Sequence, residues 1–214
     1  MRILIYIILI NFSILNAQTF SIARVNYGGG GDWYCDQSSI PNLLQYLESN
    51  TPISVKNEKI HVIMSDENAH QYPYLYLTGH GNIKFTDNEI ISLRSILMNS
   101  GFLHADDNYG MDEYIRPLLK ELFPDQNLQE VPANHEIFRN QFEFPNGLPK
   151  IHEHDAQRPQ ALGIFENGRL LILYTVESDL GDGWESQEVH NDPEEIRLKA
   201  LQMGANIIKY AFEN

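Results

Sequence analysis

The chain has 214 residues, a formal net charge of −14 from 29 acidic and 15 basic residues, and a single cysteine. So acidic a protein lacks the clustered cations that nucleic acid or an anionic membrane surface requires, and one thiol excludes an internal disulfide. The length suits one well-buried domain, and the charge suits an exported protein that stays dispersed or one that attracts cations.

In chain order, "MRILIYIILINFSILNA" places Arg2 before an apolar run from Ile3 to Ile10 and ends on the small residue Ala17. Basic start, apolar centre and small residue at the cut predict a secretory signal peptide over residues 1–17. The apolar run falls short of the ~20 residues of a membrane span. Cleavage near Ala17 leaves residues 18–214 as a single domain, periplasmic or secreted, with no stable membrane span. "FSIARVNYG" (20–28) alternates and then meets glycines, as a strand entering a tight loop does. "SSIPNLLQYLES" (38–49) spaces Leu43, Leu44 and Leu47 for a helix capped by Ser38 or Ser39, and "KIHVIM" (59–64) reads as a strand. "YLYLTGHG" (74–81) is an apolar run ending in a glycine-bracketed turn, the pattern of a central parallel strand.

Thr86 and Glu89 then form a capping box. Ile90, Leu93, Ile96 and Leu97 line one helical face, which Gly101 closes in C′ fashion. The apolar run 101–105 suits a buried strand and ends abruptly on Asp106 and Asp107. Residues 110–124 read as a helix that Pro117 bends or starts. In "ALGIFENGRLLILYTVE" (161–177), Asn167-Gly168 predicts a type I′ hairpin. Asp192 as cap, Pro193 at N1 and Glu195 at N3 open a long final helix. Strand and helix alternate through the first two thirds. The expectation is an α/β fold with a mostly parallel sheet covered on both faces and an antiparallel hairpin at one edge. In such sheets ligands sit beyond the carboxyl ends of the strands, where "TGHG" and "ADD" both lie.

Taken in order and spacing, "ARVNYGGGGDWY", "YPYLYLTGHGNIKFTDNEIISLRSIL", "GFLHADD", "PANHEIF", "NGRLLILY", "SDLGDGW" and "MGANIIKYA" resemble an uncharacterised exported bacterial family. Its fold is similar to class I glutamine amidotransferases and to trehalose-utilisation-type domains. That resemblance implies a three-layer, flavodoxin-like architecture. It also implies that Gly79-His80-Gly81 stand where the oxyanion loop stands, and Ala105-Asp106-Asp107 where the nucleophile elbow stands. The elbow carries acids instead of Cys, so glutamine hydrolysis by that route is expected to be absent. Members often neighbour von Willebrand-like envelope proteins and their ATPase partners, which implies an envelope partner.

Several residues could carry chemistry. Of Asp106 and Asp107, neighbours on an extended chain point to opposite faces, so one acid is expected to face the crevice and the other to anchor the loop. His80, between glycines, could ligate a metal, donate to an oxyanion or move protons. His135, by the resemblance, lies near the same edge. His104 reads as a hydrogen-bonded core histidine. Gly29 and Gly30 let the first strand turn sharply and present Asp32 and Trp33 over the site; Asp179, Asp182 and Trp184 could be presented in the same way. Aromatic plates beside carboxylates suit sugar recognition, while a cover for the sheet end is the plainer reading of both tryptophans. His152 and His154 of "HEHD" share one side of an extended chain, yet Pro149 and Pro159 bracket them, and the stretch reads as solvated loop. Acids around Cys35 disfavour its thiolate, so it reads as structural. The functional expectation is an exported domain that binds a small polar, carbohydrate-like ligand or an envelope partner. The alternatives are a hydrolase using Asp106, Asp107, His80 and His135, with a divalent metal as a possible cofactor, and a non-catalytic component of an envelope complex.

Overall fold

The computed structural model describes residues 19–214; the expected signal peptide lies outside them. Seven strands form one sheet in the order β2-β1-β3-β4-β7-β6-β5. They are β1 (Ala23–Val25), β2 (Ile60–Val62), β3 (Tyr74–Gly79), β4 (Phe102–Asp107), β5 (Gln129–Glu130), β6 (Gln160–Glu166) and β7 (Arg169–Val176). The run from β2 to β7 is parallel, whereas β6 is antiparallel to both of its neighbours. The helices are α1 (Ser39–Asn50), α2 (Asp87–Met98), α3 (Asp112–Leu122), the short α4 (Leu180–Trp184) and α5 (Gln187–His190), and α6 (Glu194–Glu213).

Alternation along the strands divides the core in two. Leu75, Leu77, Leu103 and Ala105 pack towards α2 and α3. Tyr74, Tyr76 and Phe102 pack with Leu43, Leu47, Trp184, Met203 and Ile207 of α1, α4 and α6. This is an α/β sandwich with its sheet covered on both faces, as the alternation of elements predicts, and its three layers are flavodoxin-like, as the resemblance implies. Among the described residues no helix is long and apolar enough to cross a membrane.

Local signals hold unevenly. The Thr86–Glu89 capping box is present. The hairpin turns through Asn167 at φ 51° and Gly168 at φ 83°, the positive pair a type I′ turn demands. The first two strands are shorter than their patterns, because ladder pairing stops after Val25 and Val62. The left-handed residue after α2 is Ser100, at φ 73°, rather than Gly101. Gly101 is required for closeness instead, since a Cβ there would stand 2.6 Å from the Ile96 carbonyl. Pro117 lies inside α3 and does not start it; its missing N–H falls on the solvent face, where water can serve the free carbonyl. Neither Ser38 nor Ser39 caps α1 with its own side chain. Glu185 does so from the end of α4 in the same layer, its Oε1 accepting the amides of Ser38 and Ser39 at 2.7 and 2.9 Å. Asp192 does not cap α6, because His152 occupies its carboxylate.

Candidate functional site

The chain leaves β1 towards β2 on one side and re-enters at β3 on the other. The carboxyl ends of β1 and β3 therefore form the switch point at which flavodoxin-like sheets bind ligands. Two loops meet there. The glycine loop after β1 delivers Asp32, and the turn after β3 delivers His80. Asp32 Oδ1 accepts the His80 amide at 2.6 Å, and Asp32 Oδ2 lies 2.9 Å from His80 Nδ1. A carboxylate at that distance requires the proton on Nδ1, so Nε2 is left as the free ring atom. Burial acts to raise the pKa of Asp32, but the hydrogen bonds from His80 outweigh it and hold the group below the usual carboxylate range. Gly79 makes the approach possible: at φ 140°, any Cβ would run into the Tyr27 hydroxyl and the Asp32 side chain. Cys35 joins the pair, with one potential ligand atom of each of Asp32, Cys35 and His80 within 4.8 Å of the others. Burial, then the charges of Asp36 and Asp32, push its thiol far up, so it stays protonated at neutral pH. Beside Trp33 lies a cavity of about 200 Å³ lined by Arg24, Trp33, Tyr34, Gln37, Lys59 and His61.

The twin acids at the end of β4 separate into the two layers. Asp107 anchors the loop as expected: Oδ1 accepts from the amides of Tyr109 and Met111, both at 2.9 Å, and Oδ2 from the Tyr174 hydroxyl at 3.1 Å. Asp106 does not face the crevice. It is fully buried beneath α4, where Oδ2 accepts the Gly181 amide at 2.6 Å and the Tyr76 hydroxyl at 3.2 Å, and Oδ1 meets Thr175. Burial drives its carboxyl far above the normal range, against the hydrogen bonds from Thr175 and Gly181. Thr175 also links it to His104 Nε2 at 3.0 Å. Burial holds that imidazole near a pKa of about 3, a neutral core histidine as its alternation predicts.

Other expected site residues disperse. His135 caps a 3₁₀ turn through Ile137 N and packs on Phe165 and Tyr210. Tyr210 serves the first residues of β7, which places His135 at the hairpin end of the sheet, opposite to Asp106. Trp184 is a core residue and not a sugar plate: it is buried against Tyr76 and His104, with Nε1 donating to the Ala200 carbonyl at 2.8 Å. Trp33 keeps partial exposure, edge-on to Tyr34 and His61. Gly29 and Gly30 take φ 101° and 91° in the turn before Asp32, and Gly81 lies near Tyr114 of α3.

A cluster that the reading of "HEHD" as solvated loop passed over lies next to the switch point. His152 Nδ1 stands 3.1 Å from Asp182 Oδ2, and its Nε2 3.0 Å from Asp192. His154 Nε2 meets Asp179, and His190 Nε2 approaches Asp182 at 3.7 Å. Hydrogen bonding to Asp182, strengthened by Asp192, raises His152 to a pKa of about 9 against the opposing effect of burial. Burial acts to raise the pKa of Asp182, but His152 and His190 hold it down. Asp179 is raised, by burial above all, and Asp36 is raised by burial and the neighbouring Asp182. Asn108 joins the two regions: its Nδ2 donates to Asp36 at 2.7 Å and to Asp182 at 3.0 Å, and lies 3.7 Å from Cys35 Sγ. Asp32–Cys35–His80 and His152–Asp182–His190 are the two groups among the described residues able to hold a metal ion. Of the His-x-His stretch only His152 belongs to the second group; its acidic partners come from segments about thirty and forty residues on, where no local signal links them to it.

Residues 21–212 match the family model described as a domain of unknown function, DUF4159. No curated protein matches the chain.

The raised His152 pKa gives a signed pH dependence. A group whose folded pKa lies above its ordinary 6.5 contributes stability that is complete below pH 6.5 and is lost as pH rises towards 9. Urea unfolding in a chelating buffer should show that loss between pH 6.5 and 9, and His152→Gln should flatten it. Identical slopes in the two proteins would contradict the assignment.

Proposed function

The chain belongs to the DUF4159 family, and we propose that it is an exported binding domain of amidotransferase-like fold that takes a small, hydroxyl-rich ligand of carbohydrate type at the switch point. The observation that carries this reading is the Asp32–His80 pair, whose side chains keep 34% and 54% of their exposure at the carboxyl ends of β1 and β3. An ionised carboxylate accepts hydroxyl hydrogens, and the free Nε2 of His80 offers a second hydrogen-bonding atom beside it. Trp33, with the adjoining cavity that Ile40, Pro41 and Ile60 help to line, supplies an apolar surface for a ring face.

The same geometry favours binding over amidotransferase chemistry. That chemistry needs a thiolate at the elbow, and here the elbow place holds Asp106, a carboxyl buried beneath α4. Cys35, on another loop, is kept as a thiol by burial and by Asp36 and Asp32. A hydrolase assembled from Asp106, Asp107, His80 and His135 draws no support, because these side chains do not converge. Export rests on the pattern of residues 1–17. N-terminal sequencing of protein recovered outside the cytoplasm should begin near Gln18, and a retained Met1 would contradict it.

Ligand binding to the native state raises apparent stability, by about 2.7 kcal/mol at a hundred times Kd. In a thermal-shift panel of mono- and disaccharides, at least one sugar should raise the Tm of the wild type. The shift should vanish in Asp32→Asn and His80→Ala and persist in Asp106→Asn. Retention of the shift in the first two variants, or no shift with any sugar, would contradict the reading.

A further inference from the structure

The turn holding His152 and the stretch from α4 to α5 close over the carboxyl end of β7. There His152, Asp182 and His190 each bring one donor atom within 4.8 Å of the others. We propose that these three side chains bind a divalent transition-metal ion, through Nδ1 of His152, a carboxylate oxygen of Asp182 and a ring nitrogen of His190. Two imidazoles and one carboxylate suit ions such as zinc, manganese or iron better than calcium or magnesium, which take oxygen donors. Three protein ligands also leave a coordination position open for water or a ligand oxygen.

Two independent features support the assignment. Metal-binding histidines nearly always pass their second ring nitrogen to a carboxylate or carbonyl, which fixes the tautomer and the ring plane. His152 Nε2 sits 3.0 Å from both oxygens of Asp192, so Nδ1 is the nitrogen turned inward. The ligating carboxylate is supported likewise: Asn108, itself held by Thr78, donates to Asp182 Oδ1 at 3.0 Å. The second feature is Asp179, only 1% exposed, whose Oδ2 lies 3.6 Å from His152 Nδ1. Its Oδ1 has no hydrogen-bond partner among the described residues. A buried carboxylate oxygen in that state is costly, and a divalent charge in the adjoining space stabilises it. Without an ion, His152 Nδ1 pairs with Asp182 Oδ2 at 3.1 Å; a metal at Nδ1 takes over that contact while Nε2 keeps Asp192. None of the three ligands belongs to the Asp32–His80 pair, so this inference stands or falls separately from the ligand site.

The experiment is a Zn²⁺ titration of chelator-stripped protein by calorimetry, with Tm read in parallel. His80→Ala serves as the reference protein, so that ions held by Asp32, Cys35 and His80 do not contribute. That protein should bind Zn²⁺ stoichiometrically and gain Tm. Adding His190→Ala, an exposed position at the end of a short helix, should weaken binding at least tenfold. Asp192→Asn, which leaves all three ligands in place, should weaken it by about 10–100-fold. Co²⁺ should give ligand-field absorption without a sulfur charge-transfer band. Absence of Zn²⁺ binding, unchanged affinity in both added variants, or a sulfur band would overturn the assignment.

Discussion

The buried guanidinium of Arg24 organises the carboxyl-end rim. Lying in the middle of β1 and only 3% exposed, it reaches backbone carbonyls and a hydroxyl where a carboxylate would be the usual partner. Its Nη1 donates to the carbonyls of Trp33 and Cys35, and its Nη2 donates to the Asp36 carbonyl at 2.9 Å and to Ser39 Oγ at 3.1 Å. The Tyr76 ring stacks at 5.7 Å. A charge withdrawn from water needs several such partners, and a loop that supplies three carbonyls to one cation is fixed by doing so. Asp32, Cys35 and Asp36 belong to or adjoin that loop. The arrangement of the switch point thus follows from one arginine on the first strand.

Around it, a strongly acidic chain distributes its carboxyls by environment. Asp32 and Asp182 face imidazoles and stay ionised. Asp36, Asp106, Asp107 and Asp179, driven chiefly by burial, shift upward. Adjacent groups whose surroundings push their pKa values apart are a recurrent mark of functional sites. The backbone shows a similar concentration, since Glu177 and Asp179 both sit at positive φ, 58° and 59°, on the way into α4. Such conformations persist in non-glycine residues only where the surroundings impose them.

Much of the fold was legible because its signals are local. Thr86 with Glu89, Asn167 with Gly168, and the leucines of α1 each specify their element within a few residues. The separation of Asp106 from Asp107 follows from strand alternation alone. Which of them would be covered did not follow, because that depends on α4, whose Gly181 arrives from 75 residues further along the chain. Trp184 shows the same limit: flanked by Gly183 and Glu185 it looked like a loop aromatic, yet α6 packs over it and makes it core. His152 was discounted because its own neighbours are polar and bracketed by prolines. Its partners, Asp182 and Asp192, are brought to it only by the closure of the chain over β7.

The most direct test concerns whether Arg24 sets the Asp32–His80 geometry. Long-range ¹⁵N–¹H spectra report which ring nitrogen of His80 carries the proton. The wild type should show a single Nδ1–H tautomer held by Asp32. In a folded Arg24→Lys protein, which keeps the charge but loses the forked donors, His80 should revert to the mixed tautomers of free imidazole. The same single Nδ1–H tautomer in both proteins would contradict the account.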